Sequence, residues 1–296
     1  MTVTCVTCTR GGETGGRGAG GTEPPYAPSR TVGPVKRVRL DSLLCDRGIF
    51  SSRARAAASV LAGDVRLLPG RRQAEKPGQM VPEDVEIEVA QAPQYVSRGG
   101  IKLANALDRL ELEVTGREAL DAGASTGGFT DCLLQRGAAH VVAVDVAYGE
   151  LDWRLRSDSR VTVVERQNAR SLAIEQLPFR PDLIVIDVSF ISLTKVLPAV
   201  LACAALRFDC LAMVKPQFEV GRERVGKGGV VRDGAARRDA LLTVARAGQA
   251  LGTSVMGFAS SGLPGPKGNL ETFVWLAESP RGGVADLEAA AREVEP

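Results

Sequence analysis

Histidine is almost missing from this chain: His140 is the only one among 296 residues. Ser-His-Asp and Cys-His catalysis would both have to run through it. It stands at the entrance to the apolar run 141–146, where it reads as a strand-edge residue, so hydrolases of those kinds are disfavoured. Long apolar runs are missing too. No stretch approaches the roughly 18 residues that cross a bilayer, and the polar, glycine-rich first 21 residues lack the apolar core of a signal peptide. A cytoplasmic protein with no membrane partner is the expectation. Paired metal-ligand spacing is also lacking: Cys5 and Cys8 form a lone CxxC with no second pair, so no metal is expected. Cys45, Cys132, Cys203 and Cys210 sit singly in apolar surroundings and read as reduced thiols. The net charge is only +2, so any nucleic-acid footprint has to be local.

What is present is an ordinary globular composition, 44% hydrophobic and 24% charged. The length suits one α/β domain and a smaller module. Residues 1–34 are rich in Gly, Thr and Pro, too poor in large apolar side chains to offset their ordering entropy, and read as a disordered tail. Residues 35–90 form a compact α+β module. The spacing of Val38, Leu40, Leu43 and Leu44 predicts a helix, and Ser51 or Ser52 caps a second one over 53–62, ended by Gly63. Extended runs follow at 64–68 and 84–89. Between Lys36 and Lys76 ten basic residues face four acidic ones, while the rest of the chain is slightly acidic. After a linker at 91–96, residues 97–280 alternate strand and helix. Apolar strands are expected at 119–121, 141–146, 161–164, 183–188, 210–214, 254–259 and 272–277. Continuous apolar strands alternating with helices predict a doubly wound, mostly parallel seven-stranded α/β sheet covered on both faces. Residues 281–296 read as a C-terminal tail or helix.

Leu120-Asp121-Ala-Gly123-Ala-Ser125-Thr126-Gly127-Gly128-Phe129 ends the first of these strands and opens a helix. Its glycines let the backbone approach a ligand, and Thr126 is placed to cap the helix. It is neither the GxGxxG dinucleotide fingerprint nor a triphosphate loop. Asp145, about twenty residues on at the end of the next strand, is placed to accept from ribose hydroxyls. An acid before the glycine loop, no phosphate clamp and a ribose-binding acid suit a nucleoside cofactor with a cationic centre, as in S-adenosylmethionine. Four more segments carry polar groups that an anonymous scaffold does not need. They are Ser97-Arg98-Gly99-Gly100-Ile-Lys102, Asp187-Val-Ser189-Phe190, Met213-Val-Lys215-Pro216-Gln217-Phe218-Glu219 and Gly265-Pro266-Lys-Gly268-Asn269-Leu-Glu271. Strand carboxyl ends in a doubly wound sheet converge on one crevice.

The stretches YVSRGGIKL, LDAGASTGGFTDCLLQRGA, DLIVIDVSFISL, MVKPQFEVG and PGPKGNLE, in this order, resemble the TlyA family, known both as hemolysins and as ribosomal RNA 2'-O-methyltransferases. The front module resembles the small RNA-binding domain of ribosomal small-subunit protein four. The resemblance implies transfer of a methyl group from S-adenosylmethionine to a ribose 2'-hydroxyl, of cytidine, in ribosomal RNA within ribosomal subunits, by a monomer. It carries the Lys-Asp-Lys-Glu tetrad of ribose methyltransferases onto Lys102, Asp187, Lys215 and Glu271. Lys215 is then the base for a weakly nucleophilic hydroxyl. Asp187 positions the methyl donor and steadies the lysine, and Lys102 and Glu271 orient the hydroxyl and tune Lys215. The implied cofactor residues are Asp121, Gly123, Ser125, Thr126, Gly127, Gly128, Phe129, Asp145, Asn168 and Asp187. RNA is assigned to Lys36, Arg37, Arg39, Arg47, Arg53, Arg55 and Arg66 of the module and to Arg98. Ala147 stands where the family has Gly beside the ribose acid. Two other readings are weighed. A non-catalytic ribosome assembly factor is disfavoured by the intact tetrad. A membrane-lytic protein is disfavoured because no stretch pairs a large apolar face with a lysine-rich one.

Overall fold

The computed structural model describes residues 36–50, 52–89 and 94–295, apart from the side chains of Arg55 and Ala62. The glycine-rich tail, the Cys5–Cys8 pair, the capping residue Ser51, linker residues 91–93 and the Arg55 side chain thus lie outside the described residues. The chain divides into two compact units, Met1–Ala92 and Pro93–Pro296.

In the smaller unit β1 (Arg37–Arg39) leads directly into α1 (Leu40–Asp46). The helix expected from Val38 therefore begins at Leu40, because residues 37–39 pair antiparallel with the strand at Met80–Pro82. Next come α2 (Arg53–Ala62), β2 (Val65–Leu67), β3 (Arg72–Gln73), β4 (Met80–Pro82) and β5 (Ile87–Val89). β2 pairs with both β3 and β5. Leu40, Leu43 and Leu44 of α1 pack with Ala56 and Val60 of α2 and with Val65, and all are buried. The two predicted extended runs are present but shorter. The β1–β4 pair and β3 were not foreseen, since strands of two or three residues carry no readable alternation.

The larger unit runs α3 (Arg98–Arg109), β6 (Glu118–Ala122), α4 (Gly128–Gln135), β7 (His140–Val144), α5 (Trp153–Arg156), β8 (Val161–Val164), β9 (Leu183–Ile186), α6 (Leu197–Ala202), β10 (Asp209–Val214), α7 (Pro216–Glu219), α8 (Gly234–Ala250), β11 (Thr253–Ser260), β12 (Thr272–Glu278) and α9 (Leu287–Val294). Its seven strands lie in the order β11-β12-β10-β9-β6-β7-β8. β12 is antiparallel to both neighbours, and the pairs among β6 to β10 are all parallel. The seven expected strands are all present, and the C-terminal segment forms α9.

The continuous apolar strands have a direct cause. In β9, Leu183 and Val185 face one core with Leu103 and Leu107 of α3 and Phe129 and Leu133 of α4. Ile184 and Ile186 face the other, with Leu197 of α6 and Leu241, Val244 and Ala245 of α8. Both faces are covered, so neither set of alternating positions can be polar. Burying each such aliphatic side chain contributes roughly 1.5–3 kcal/mol. The sequence order of the strands reverses at β6, which lies between β7 and β9. Crevices in such sheets open outside the strand carboxyl ends at that point. Among the described residues no helix is long and apolar enough to cross a membrane, and no cluster of three or more His, Cys, Asp or Glu is placed to hold a metal ion.

Candidate active site

The loop after β6 passes close against the end of β9. Gly123 has φ 97°, and a Cβ there would stand 2.5 Å from the Asp187 carbonyl oxygen. Only glycine fits on both counts. Thr126, expected to cap α4, does not. Gly127 is the N-cap residue, with left-handed φ 95° and no side-chain cap bond, and a Cβ there would meet Leu155 at 2.3 Å.

Asp121 departs from its expected place at the ligand. It is fully buried beneath the loop, and its Oδ2 accepts from the Thr130 backbone N–H at 2.9 Å and from Thr130 Oγ1 at 2.7 Å, bracing α4 on β6. Burial pushes its carboxyl up to about 7, against the pull of the Thr130 bonds. Asp145 sits one residue past β7. Its Oδ2 accepts from Ser125 N–H and its Oδ1 from Ala147 N–H, each at 2.8 Å, which locks the glycine loop to the end of β7. Asn168 caps a 3-10 turn, Ala169–Ser171, through an Oδ1 bond from Arg170 N–H at 3.1 Å. Phe129 is buried against Phe273, ring centroids 5.8 Å apart.

Apart from Asp121 and Gly127, the cofactor residues expected from the sequence line one or both of two cavities that share a wall. The first, about 1070 Å³, is bounded by Gly123, Ser125, Asp145, Asn168 and Asp187. The second, about 780 Å³, is bounded by Gly123, Ser125, Thr126, Gly128, Phe129, Asp187, Arg98 and all of Lys102, Lys215 and Glu271. The four tetrad residues therefore meet on one cavity, brought from α3, the end of β9, the end of β10 and the start of β12. Within it they form two ion pairs. Lys215 Nζ lies 2.5 Å from Asp187 Oδ1 and donates to Ser189 Oγ at 2.8 Å. Lys102, 7% exposed, donates to the Glu271 carboxylate, 3% exposed. Glu271 is thus bonded to Lys102, not to Lys215 as the tuning role foresaw. Gln217 Oε1 on the wall is buried and lacks a hydrogen bond among the described residues, while Asp187 Oδ1 is met by Lys215 in the ion pair. A buried acceptor without a partner is costly unless a ligand supplies donors. This free acceptor beside a glycine cradle and Asp145 fits a cationic nucleoside such as S-adenosylmethionine.

The sequence reasoning passed over Phe190 and Glu219. Phe190 has φ 64°, is 91% exposed, and its ring lies 5.3 Å from that of Phe218. Both rings line both cavities. Glu219 receives Ser192 Oγ–H at 2.6 Å and Leu193 N–H at 2.8 Å, tying the segment after β9 to the segment after β10, and burial raises its carboxyl. The motifs contained these residues, but nothing in their spacing announces a positive φ or a cross-loop bond.

The basic residues of the smaller unit are less free than a charge count suggests. Arg47 donates to Val85 O at 2.7 Å and Glu83 O at 2.6 Å, and Arg37 to Met80 O at 2.6 Å. Lys36 pairs with Glu83 at 3.0 Å. Arg39 and Arg53 both hold Asp41, at 2.7 and 3.3 Å, and the Arg39 guanidinium keeps that carboxyl down at about 2. Arg66 is exposed and forms no ion pair among the described residues. In the larger unit Arg98 is exposed and donates to Pro264 O.

FtsJ-like methyltransferase is the family whose pattern matches, over residues 95–278. The 16S/23S rRNA (cytidine-2'-O)-methyltransferase TlyA of Mycobacterium tuberculosis is 51% identical over 246 residues, spanning 82% of this chain and 90% of the relative. Hemolysin A of Brachyspira hyodysenteriae is 38% identical, over 79% of this chain and 97% of that protein. Among solved structures, a candidate hemolysin from Streptococcus thermophilus is similar at TM-score 0.66 and 36% identity, over 88% of this chain and 96% of that one.

Proposed function

The chain belongs to the FtsJ-like methyltransferase family, and from that membership we propose that it transfers a methyl group from S-adenosylmethionine to the 2'-hydroxyl of a cytidine in ribosomal RNA. The observation that carries the reading is the meeting of Lys102, Asp187, Lys215 and Glu271 on one cavity beside the glycine loop. S-adenosylmethionine supplies an electrophilic methyl on a sulfonium, already activated. Gly123, Ser125, Asp145, Asn168 and Asp187 would hold it, Asp145 accepting from the ribose hydroxyls by its remaining lone pairs. As the ribose 2'-oxygen takes up that methyl and the carbon–sulfur bond opens to a thioether, the hydroxyl proton would pass to Lys215 Nζ, which serves as base only in its uncharged form. Asp187 and Ser189 fix the direction of that nitrogen. Lys102, immobilised by Glu271, orients the hydroxyl, so that positioning supplies much of the acceleration. The exposed ring of Phe190 stacks on the target base.

Ribosomal RNA is the substrate, met within ribosomal subunits in the cytoplasm and acted on by a monomer. The smaller unit adds affinity through its exposed cations. Incubation of the protein with methyl-labelled S-adenosylmethionine and ribosomal subunits, followed by nucleoside analysis, is expected to yield labelled 2'-O-methylcytidine. Binding of ribosomal RNA without transfer to either subunit would replace the enzyme by an assembly factor.

A further inference from the structure

Part of the wall of the tetrad cavity is a short hairpin. Val225 and Gly229 line the cavity, and the bridge between Gly226 and Val230 closes the turn. Gly228 and Gly229 at its tip have φ 81° and 79°, values that suit glycine. Asn269, 2% exposed, fixes the hairpin in place. Its Oδ1 accepts from Val231 N–H at 2.9 Å and its Nδ2 donates to Gly229 O at 2.8 Å. Asn269 stands two residues before Glu271, so the hairpin is tied to the segment that supplies the tetrad acid. A buried carboxamide bonded at both ends to backbone holds a loop in one position.

The cations around this hairpin are unbalanced. Lys227 at the tip is exposed. Lys267 runs beside it, with Nζ 3.8 Å from where a Gly229 Cβ would stand, and the Arg232 guanidinium lies 3.3 Å from the corresponding point on Gly226. Among the described residues Lys227, Arg232 and Lys267 form no ion pair. Of the neighbouring acids, Asp233 caps α8, Asp239 pairs with Arg224 at 2.8 Å and Glu271 holds Lys102, which leaves the exposed Glu223 as a single carboxylate against three cations. Like charges gathered in excess of their counter-charge at the edge of a cavity repel one another and attract an anion.

We propose that the 226–230 hairpin grips the phosphate backbone of the RNA strand beside the target nucleotide, through Lys227 and Lys267, with Asn269 setting its position. The proposal rests on the RNA reading above. Its test is binding of ribosomal RNA, extracted from bacterial subunits, by fluorescence anisotropy between roughly 50 and 200 mM salt. Lys227→Ala and Lys267→Ala should each weaken binding about three- to tenfold and lower the slope of log affinity against log salt by about 0.7–0.9. Lys227→Arg should restore both. Asn269→Ala should weaken RNA binding with both lysines kept. Affinity for S-adenosylmethionine, measured by calorimetry, should stay at the parent value in the lysine variants. An unchanged salt slope in the double lysine variant overturns the proposal. So does weakened S-adenosylmethionine binding with RNA binding intact, because the lysines would then read the carboxylate of the methyl donor. A parent protein that binds RNA without methylating it removes the proposed activity but leaves the hairpin result standing.

Discussion

At the amino ends of the parallel strands, Asp209 accepts from Trp275 Nε1 at 2.8 Å and from Arg117 at 3.0 Å, and Arg281 bridges it to Glu278 at 2.8 Å. Arg117 also reaches Asp182 at 3.1 Å. At the carboxyl ends of the same sheet the charges are as numerous, but Asp121 Oδ1 and Gln217 Oε1 lack hydrogen bonds among the described residues, and Ser125 and Phe190 hold positive φ. Both edges bury charge. At one edge the carboxylates are closed off by fitted partners, so the charges act as a clamp on β10 and β12. At the other, acceptors and backbone strain are left over, which a folded chain tolerates where a ligand completes the arrangement.

The sharpest separation is between chemistry and stability. Lys215→Ala should lower methyl transfer to ribosomal subunits by about a thousandfold or more, while thermal unfolding moves by only about 2 °C, since the Asp187 side chain keeps 24% exposure and can rehydrate. Transfer at the parent rate would take Lys215 out of the mechanism. Asp209→Ala should do the reverse. It takes one of two carboxylate partners from Arg117 and from Arg281 and leaves Trp275 Nε1 without its acceptor, and should cost roughly 1–3 kcal/mol in denaturant unfolding, with transfer at 25 °C within about twofold of the parent once folded. Loss of transfer in a still-folded Asp209 variant would mean that the two edges are not independent.

The amino edge was largely illegible in the sequence, and the carboxyl edge largely legible. Arg117, Asp182, Asp209 and Arg281 are scattered across more than 160 positions and belong to no motif. Only the pairing of β9 with β6 and β10, and of β10 with the antiparallel β12, brings them together. Asp187, Lys215 and Glu271 lie inside recognisable runs at strand ends, which could be read from the apolar stretches, and Lys102 lies in such a run on α3. What escaped there was pairing. Nothing in the spacing says that Glu271 meets Lys102, because that contact depends on the placement of α3 against the start of β12. Thr126 as a cap failed for a local reason, the left-handed turn at Gly127, and Asp121 failed because the strand carries it under the loop.

The two edges should also respond to pH in opposite senses. Glu278 is held down at about 2, below its ordinary 4.5, chiefly by its hydrogen bonds from Arg281. Its contribution to stability is complete above pH 4.5 and is lost as the pH falls toward 2. Asp121 is raised by burial from 3.8 to about 7, so ionising it costs stability, a cost absent at low pH and complete above about 7. Melting curves should show Glu278→Gln less stable than the parent at neutral pH and converging with it in acid. Asp121→Asn, which keeps an acceptor for Thr130, should gain on the parent as pH rises from about 4 to about 7. Parallel pH profiles for both variants would contradict the assignment of the two edges.

The smallest effect tests the strain itself. Phe190 holds φ 64° with its ring 91% exposed, so the fold gains little from burying it. A left-handed conformation costs a non-glycine residue roughly 1–2 kcal/mol. Glycine removes that cost but adds roughly 0.5–1 kcal/mol of unfolded-state entropy. Phe190→Gly should therefore unfold at the parent's denaturant midpoint or slightly above it, a net gain of under about 1 kcal/mol. A ring that stacks on a base contributes about 1–3 kcal/mol to RNA binding, so the same variant should show KM for ribosomal RNA raised about tenfold, with affinity for S-adenosylmethionine unchanged. A variant that is less stable and equally active would make the ring a structural contact with Phe218, and the strain at this edge would then need a cause other than substrate.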